Sequence, residues 1–357
     1  MYNADPARAS HRAFTSIMNA PDAAQVQALE KPIDSARRHH EQLASSAPTV
    51  SHYLRGTSLN RALDAIGDWW TQRILRESFL GVRNFDEFQS NLDIPRQTLS
   101  QRLKELVAND ILDASRGGYR LTPRGLALYP WALMIWSWSL RWGGNAGPRH
   151  PPALRHHDCG HTMTPVFACG ACHAKVTLRD VDYEATLAPR QLADAPLVRA
   201  KRWTGSKAVL GPLEAGQNIA FITADRWTHM ILSAVFLGCR SFDRMEREIG
   251  ISTNILAQRL ALLVESGFLE KKRSATDARR YVYSLNTRSR DVFPLTISLV
   301  QWADEWLPAA CAPPLVRYHR RCGARLHTQV ICSHCRGELL PRAVSFQPLA
   351  SPGDVAP

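Results

Sequence analysis

The sequence lacks a hydrophobic run long enough to cross a membrane. Its most apolar stretch, residues 126–140, contains Pro130 and two serines and is shorter than the roughly 20 residues that a membrane span needs. The first residues lack the continuous apolar core of a signal peptide, and acidic residues are few, 32 against 44 lysines and arginines. We therefore expect a cytoplasmic protein, whose net charge of +12 suits a polyanionic partner such as DNA.

Two stretches of the chain repeat each other without a gap. Residues 68–112 align with residues 225–269 at an offset of 157, so that Asp68 falls on Asp225. A self-match of this density indicates an internal duplication. In each copy, apolar residues recur at helical spacing three times over, and two short helices joined by a tight turn predict a helix-turn-helix. The fold class that we expect is mainly α with small β-wings, in two tandem modules.

The second helix of each helix-turn-helix is the expected recognition helix, because such a helix enters the major groove. A hairpin, or wing, is predicted after it at residues 111–122 and 268–286. The residues predicted to contact DNA lie on these helices and wings: Arg96, Gln97, Thr98, Ser100, Gln101, Arg102, Lys104, Arg116, Thr253, Asn254, Gln258, Arg259, Lys271, Lys272, Arg273, Arg279 and Arg280. Arg102 and Arg259 occupy matching positions and either contact phosphate or bridge the recognition helix to its neighbour.

The segments RALDAIGDWWTQRIL, LGVRNFDEF, TLSQRLKELVANDIL and LTPRG resemble the HxlR-type winged helix-turn-helix regulators of bacteria. The resemblance covers both copies, roughly half of the chain. It implies a transcriptional regulator without enzymatic activity. It also implies that the helix closing each module helps to build a dimer.

The closing helices carry a large apolar stripe. Its members are Trp131, Ile135, Trp138 and Trp142 in the first copy and Leu295, Leu299, Trp302 and Trp306 in the second. If the two modules pack on each other, the chain is an intramolecular pseudo-dimer. If each module pairs with its copy in another chain, the protein is a homodimer, and the size of the stripe and the long linker favour this second arrangement.

Six of the eight cysteines fall in two clusters of identical spacing. Each cluster reads His-x2-Cys-x9-Cys-x2-Cys, formed by His156, Cys159, Cys169 and Cys172 and by His319, Cys322, Cys332 and Cys335. Four such ligands are typical of a closed, structural zinc site, and disulfides are disfavoured in a chain without a secretion signal. His157 is a rival to His156. We expect two structural Zn²⁺ ions, one within each cluster, each supplying the folding energy of a short zinc-ribbon-like segment.

The expected organisation follows from these features. It comprises a mobile N-terminal arm (1–50), a first winged module (51–145), a first zinc-ribbon-like segment (153–178), a linker (179–215), a second winged module (216–308), a second zinc-ribbon-like segment (315–340) and a disordered tail (341–357). We interpret the chain as a sequence-specific DNA-binding transcriptional regulator. The alternative is a zinc-stabilised protein-interaction module without sequence-specific DNA binding. A zinc enzyme is disfavoured because four protein ligands leave no open coordination position.

Overall fold

The computed structural model describes residues 54, 57–115, 117–143, 153–186, 219–275, 277–307 and 313–347. The expected N-terminal arm, most of the expected linker, the last residues of the tail and Arg116 lie outside these ranges. The described residues belong to one compact unit, Pro48–Pro357. None of the helices in these ranges is both long and apolar enough to cross a bilayer.

The first winged module contains six helices and a short hairpin. Its elements are α1 (Ser58–Ile66), α2 (Trp69–Phe79), α3 (Phe85–Leu92), α4 (Arg96–Ala108), β1 (Leu112–Asp113), β2 (Arg120–Leu121), α5 (Pro123–Leu126) and α6 (Tyr129–Trp142). The Asp68 carboxylate caps α2 by accepting hydrogen bonds from the backbone N–H groups of Trp70 and Thr71. Helices α3 and α4 form the predicted helix-turn-helix, and the leucine stripe of α4 is buried against α2.

The second module repeats this order with a longer hairpin. Its elements are α7 (Ala220–Thr223), α8 (Arg226–Phe236), α9 (Phe242–Ile249), α10 (Thr253–Glu265), β7 (Leu269–Arg273), β8 (Tyr281–Leu285), α11 (Thr287–Arg290) and α12 (Phe293–Trp306). The recognition helices are α4 and α10, as predicted. The expected single closing helix is divided in both modules, into α5 and α6 and into α11 and α12. Pro130 and Pro294 lie in the first turn of α6 and α12, where the missing proline N–H does no harm.

The two modules pack on each other through their closing helices, and the contact is reciprocal. The indole Nε1–H of Trp138 donates to the carbonyl oxygen of Arg288 at 3.2 Å, and that of Trp302 donates to the carbonyl oxygen of Arg124 at 2.9 Å. Trp302 and Arg288 each lie 164 residues after their counterparts, so one contact is made in both directions. Reciprocity of this kind is the mark of a two-fold interface.

The chain is therefore an intramolecular pseudo-dimer, and the expectation of a homodimer through the aromatic stripe was wrong. The physical reason is that the stripe is already covered within one chain. Trp138 and Trp302 are each 2% exposed. The Trp138 ring also stacks on Phe268 of the other module, with 5.6 Å between ring centroids.

The two cysteine-containing segments form one body, which we call the ribbon body. Its strands are β3 (Ala153–His156), β4 (Thr162–Met163), β5 (Pro165–Cys169), β6 (Val181–Ala185), β9 (Leu315–His319), β10 (Thr328–Cys332) and β11 (Val344–Gln347). Strand β3 pairs with β11, β5 with β10 and β6 with β9, so each segment is completed by strands of the other. Phe167 faces Val330, its counterpart 163 residues later, so a pseudo-two-fold axis passes through this pair.

Three of the expected boundaries were wrong for the same reason. The segments are not two separate knuckles, residues 181–185 are not linker, and residues 344–347 are not disordered tail. The backbone N–H and C=O groups of an extended segment need partners when they leave water. Here β6 finds them on β9, and β11 finds them on β3.

Candidate metal centres and DNA-binding surface

The strand exchange creates two clusters of possible metal ligands. Centre A consists of His156, Cys159, Cys332 and Cys335, and centre B consists of Cys169, Cys172, His319 and Cys322. In each centre the histidine and the first cysteine come from one segment, and the Cys-x-x-Cys pair comes from the other. The predicted eight residues are thus brought together, but in a different grouping.

The donor atoms of centre A surround a common point. His156 Nδ1 lies 3.6 Å from the Cys159 sulfur and 3.2 Å from the Cys335 sulfur, and the sulfurs of Cys159 and Cys332 are 3.9 Å apart. The His156 Nε2 atom points away from the sulfurs, 3.4 Å from a carboxylate oxygen of Asp158. A ligating histidine commonly has such a partner on its second nitrogen, because the partner fixes the tautomer.

Centre B repeats this geometry. His319 Nδ1 lies 3.3 Å from the Cys172 sulfur and 3.2 Å from the Cys322 sulfur, and the sulfurs of Cys169 and Cys322 are 3.9 Å apart. Zinc–sulfur bonds of about 2.3 Å and zinc–nitrogen bonds of about 2.0 Å at tetrahedral angles separate the donor atoms by roughly 3.5–3.8 Å. The distances in both centres fit a tetrahedral ion without rearrangement.

The backbone around each centre forms the same tight loops. Gly160 and Gly323, which follow the first cysteine of each segment, have φ angles of 70° and 68°. His173 and Arg336, which follow the Cys-x-x-Cys pairs, have φ angles of 55° and 65°. Left-handed backbone at a non-glycine residue is uncommon, so its occurrence at matching positions indicates that both loops are shaped for the same purpose.

The expectation that each linear cluster holds its own ion was wrong in its pairing. The antiparallel pairing of β5 with β10 places Cys169 opposite Thr328 and Cys332 opposite Pro165, which carries each cysteine pair to the other segment's histidine. The spacing of the sequence fits both pairings equally, so it contained no signal for the exchange. His156 is fully buried within its centre, whereas the His157 ring nitrogen Nδ1 lies 3.1 Å from the Arg342 carbonyl oxygen. His156 is therefore the ligand candidate.

The exposed face of α4 carries most of the predicted DNA contacts of the first module. Gln97, Gln101 and Lys104 are exposed, and Thr98 and Ser100 are half-buried. Gln101 donates to a carboxylate oxygen of Glu105 at 3.0 Å on the same face.

Arg96 begins α4 and lies back against α3. Its guanidinium is 5.0 Å from the Phe85 ring centroid, 3.0 Å from the Gln89 side-chain oxygen and 3.4 Å from an Asp86 carboxylate oxygen. The Arg96 and Asp86 side chains are 67% and 86% exposed, and a pair so exposed contributes about 0–1 kcal/mol. Such a pair is easily exchanged for a nucleic-acid contact.

The recognition helix α10 has a different first turn. Thr253, Asn254 and Gln258 are exposed, and the Thr253 hydroxyl donates to a carboxylate oxygen of Glu246 on α9. No arginine occupies the position that matches Arg96, because Thr253 stands there. The two modules therefore present different side chains to a partner.

Arg102 and Arg259 bridge each recognition helix to the start of the helix before it. Arg102 Nε lies 3.0 Å from Asp68, and Arg259 lies 2.9 Å from Asp225, the two aspartates that cap α2 and α8. The arginine side chains are 14% and 20% exposed. Of the two roles left open by the sequence, the structure thus has the bridge, and a primary phosphate contact by these two residues is not supported.

The second wing presents a row of cations. Lys271 Nζ lies 4.2 Å from the Tyr281 ring centroid, and the Arg273 guanidinium lies 5.0 Å from it. Lys272 pairs with Glu270 at 2.8 Å. Among the described residues, no ion pair joins Lys271, Arg273 or the exposed Arg279 to an acidic group.

Arg280 on the same wing is held by two acidic groups. It lies 3.2 Å from Asp243 and 3.3 Å from Asp277. The charge available to a polyanion is therefore concentrated on Lys271, Arg273 and Arg279. The first wing is short, with Arg120 exposed on β2, and its Arg116 lies outside the described residues.

Comparisons with known proteins match this architecture. A family model described as HxlR-like helix-turn-helix matches residues 65–146 and 222–311, one region in each module. The proteins named Uncharacterized HTH-type transcriptional regulator Mb3122, from Mycobacterium bovis, and Rv3095, from Mycobacterium tuberculosis, are each 36% identical to this chain over 127 residues. That stretch is 36% of this chain and 80% of each relative. The crystal structure of PA1607 is similar at 22% identity and a TM-score of 0.25, over 34% of this chain and 77% of that chain.

Proposed function

Because the chain belongs to the HxlR-like helix-turn-helix family, whose relatives named above are transcriptional regulators, we propose that it binds a specific DNA sequence with both recognition helices at once. Helices α4 and α10 enter successive major grooves, and the wings contact phosphates beside them. The protein is a regulator and not an enzyme.

The observation that carries this proposal is the reciprocal contact of Trp138 and Trp302. A two-fold interface between two winged modules turns their recognition helices towards the same side of the molecule, which is the arrangement that dimeric helix-turn-helix proteins use. In this chain one polypeptide supplies both halves. A single copy is therefore sufficient to engage two half-sites.

The two half-sites differ in sequence. The first turn of α4 offers Arg96 and Gln97, which suit bidentate hydrogen bonds to guanine and adenine. The first turn of α10 offers Thr253 and Asn254, and its neighbour Ile255 suits contact with a thymine methyl group. Module one supplies most of the base discrimination, and the cations of the second wing supply affinity for any sequence.

The two centres of the ribbon body each hold one structural Zn²⁺ in this proposal. A bound zinc ion supplies folding energy there and no catalysis, because its four protein ligands close the coordination shell. The chain's own contribution is to bring the ligands of both segments together through the β5–β10 pairing. The ribbon body then holds the ends of the two modules in one unit.

The test is binding of the full chain to DNA sites selected from a random pool, measured by filter binding at several salt concentrations. We expect one chain per site, a steep salt dependence and two unlike half-sites about one helical turn apart. Arg96→Ala should weaken binding to the selected site by about 1–3 kcal/mol and relax the preference at one base pair.

Arg179→Ala is the matched control, because it removes one exposed arginine of the ribbon body and leaves both recognition helices intact. Binding without sequence preference, or an equal loss from both variants, contradicts the proposal. Such a result would favour the alternative of a zinc-stabilised protein-interaction module.

A further inference from the structure

Two exposed histidines meet beside centre A. His161 follows Cys159 in the first segment, and His334 lies between Cys332 and Cys335 in the second. Their rings stack with 3.6 Å between centroids and 14° between planes. Ligand atoms of Cys159, His161 and His334 all lie within 4.8 Å of one another, so the pair adjoins a sulfur of the centre.

Neither histidine has a counterpart at centre B. The positions 163 residues away are occupied by Ala324, which matches His161, and by Ala171, which matches His334. The strand exchange brings both changed positions to the same centre, although they come from opposite segments. A general requirement of the ribbon fold does not explain them, because centre B forms the same loops with alanine at both positions.

The hydrogen bonding of His161 leaves a nitrogen free for a ligand. Its Nδ1 lies 2.6 Å from the carbonyl oxygen of Cys159, and because a carbonyl only accepts, the Nδ1–H donates. The lone pair is then on Nε2. A metal-binding histidine commonly donates its other ring N–H to a backbone carbonyl, since this fixes the tautomer and orients the ring.

We propose that His161 and His334, together with the Cys159 sulfur, bind a third metal ion that centre B cannot bind. The ion belongs to the late first-row divalent metals, such as Zn²⁺, Co²⁺ or Ni²⁺, because imidazole and thiolate suit these ions. Cys159 bridges this ion and the structural ion of centre A, so the inference rests on the structural zinc of the proposed function. Water completes the coordination, since only three protein ligands are present.

The geometry requires a small adjustment of the two rings. Donor atoms of a tetrahedral zinc ion are roughly 3.5–3.8 Å apart, so the widest separation of 4.8 Å must close by about 1 Å. Both histidines are exposed, and a rotation of their side chains fans the stacked rings apart. The exposed position and the shared sulfur make this ion exchangeable, in contrast to the enclosed structural ions.

The test counts metal ions by equilibrium dialysis of the full chain against buffered free Zn²⁺, followed by elemental analysis. We expect three ions per wild-type chain, and two in the double variant His161→Ala, His334→Ala, which carries the residues of centre B. The converse double variant, Ala171→His with Ala324→His, should raise the count to four. A mild chelator should remove the third ion from the wild type and leave two.

A second readout identifies the ligands. Co²⁺ added to the two-zinc protein should give thiolate charge-transfer and visible d–d absorption, and the histidine double variant should lack both. A wild-type count of two at saturating Zn²⁺ overturns the inference while keeping the structural ions. A third ion that persists in the double variant lies elsewhere and also overturns it. A count of zero refutes the structural zinc itself, so the two failures are distinguishable.

Discussion

The exchange of metal ligands between the two segments makes a prediction that a linear pairing does not. In Cys159→Ser with Cys335→Ser, both substitutions fall in centre A, so centre B should keep its ion at wild-type affinity. In Cys159→Ser with Cys172→Ser, each centre loses one ligand. If the ligands followed the linear clusters, the outcomes would be reversed.

The magnitude follows from the number of ligands in each centre. A structural zinc site contributes about 10–16 kcal/mol through four ligands, so the loss of one ligand costs roughly 3 kcal/mol, on the order of 100-fold in affinity. At a free Zn²⁺ concentration that just saturates the wild-type centres, the Cys159/Cys335 variant should retain one ion. The Cys159/Cys172 variant should retain almost none.

The exchange also changes what each ion does for the whole chain. Cys159 and Cys332 are 173 residues apart in sequence, whereas Cys159 and Cys169 of the linear pairing are about ten apart. Each doubling of a closed loop adds about 0.6 kcal/mol of loop-closure entropy, so the longer loop restricts the unfolded chain by about 2.5 kcal/mol more. Removal of zinc should therefore lower the unfolding free energy of the helices in both winged modules, which circular dichroism at 222 nm measures.

The assay for the pairing is elemental analysis of each double variant after dialysis at fixed free Zn²⁺. One ion in the Cys159/Cys172 variant, with fewer than one in the Cys159/Cys335 variant, would refute the exchanged pairing. Helices whose stability is unaffected by chelation would refute the argument from loop closure. The two results are independent, since the first concerns the identity of ligands and the second concerns the loop that they close.

Three further predictions concern the modules. Burial lowers the pKa of His229 to about 4, so the unfolded chain takes up this proton near 6.5 and the folded chain only near 4. Relative to His229→Gln, the wild type should lose about 3 kcal/mol of stability between pH 6.5 and 4 and nothing above, as urea titrations at each pH measure. Trp138→Phe and Trp302→Phe should each cost about 1–2 kcal/mol in thermal unfolding, because each removes one of two matching hydrogen bonds, and a neutral result for either would contradict the reciprocity. Lys271→Ala should lower the salt slope of DNA binding by about 1, and Lys272→Ala should lower it less, because Lys272 is paired with Glu270; equal slopes would contradict this assignment.

The winged modules were predictable because their signals are local. The duplicated pattern, the capping aspartates Asp68 and Asp225 and the leucine stripes each specify a helix through residues close in sequence, and the family comparison confirms both modules. The division of the closing helix was visible in Pro130, yet its effect on the helix boundary was missed. The DNA contacts of α4 and α10 stay predictions, except that Arg102 and Arg259 are engaged by the capping aspartates.

The ribbon body was not predictable in the same way, because its pairing is a choice between identical partners. The two segments have the same ligands at the same spacing, so local chemistry is equally satisfied by the linear and the exchanged arrangement. The pairing depends on long-range strand contacts, β3 with β11 and β6 with β9, which leave no periodic signal in either segment. Only the two unmatched histidines, His161 and His334, distinguish one centre from the other in the sequence.

The exchange ties the assembly of the ribbon body to that of the two modules. Neither centre has four ligands until the second segment is present, so the first segment cannot close a metal site by itself. The ribbon body in turn contacts α12, where Asp304 pairs with Arg317 at 2.7 Å and Gln301 accepts a hydrogen bond from the Thr328 N–H at 2.7 Å. Because α12 also forms the two-fold contact with α6, metal binding and module packing stabilise the same arrangement. A homodimer of single modules obtains its two-fold symmetry by association and loses it on dilution. In this chain the symmetry is held covalently, which frees the two recognition helices to differ and permits a DNA site with unlike halves.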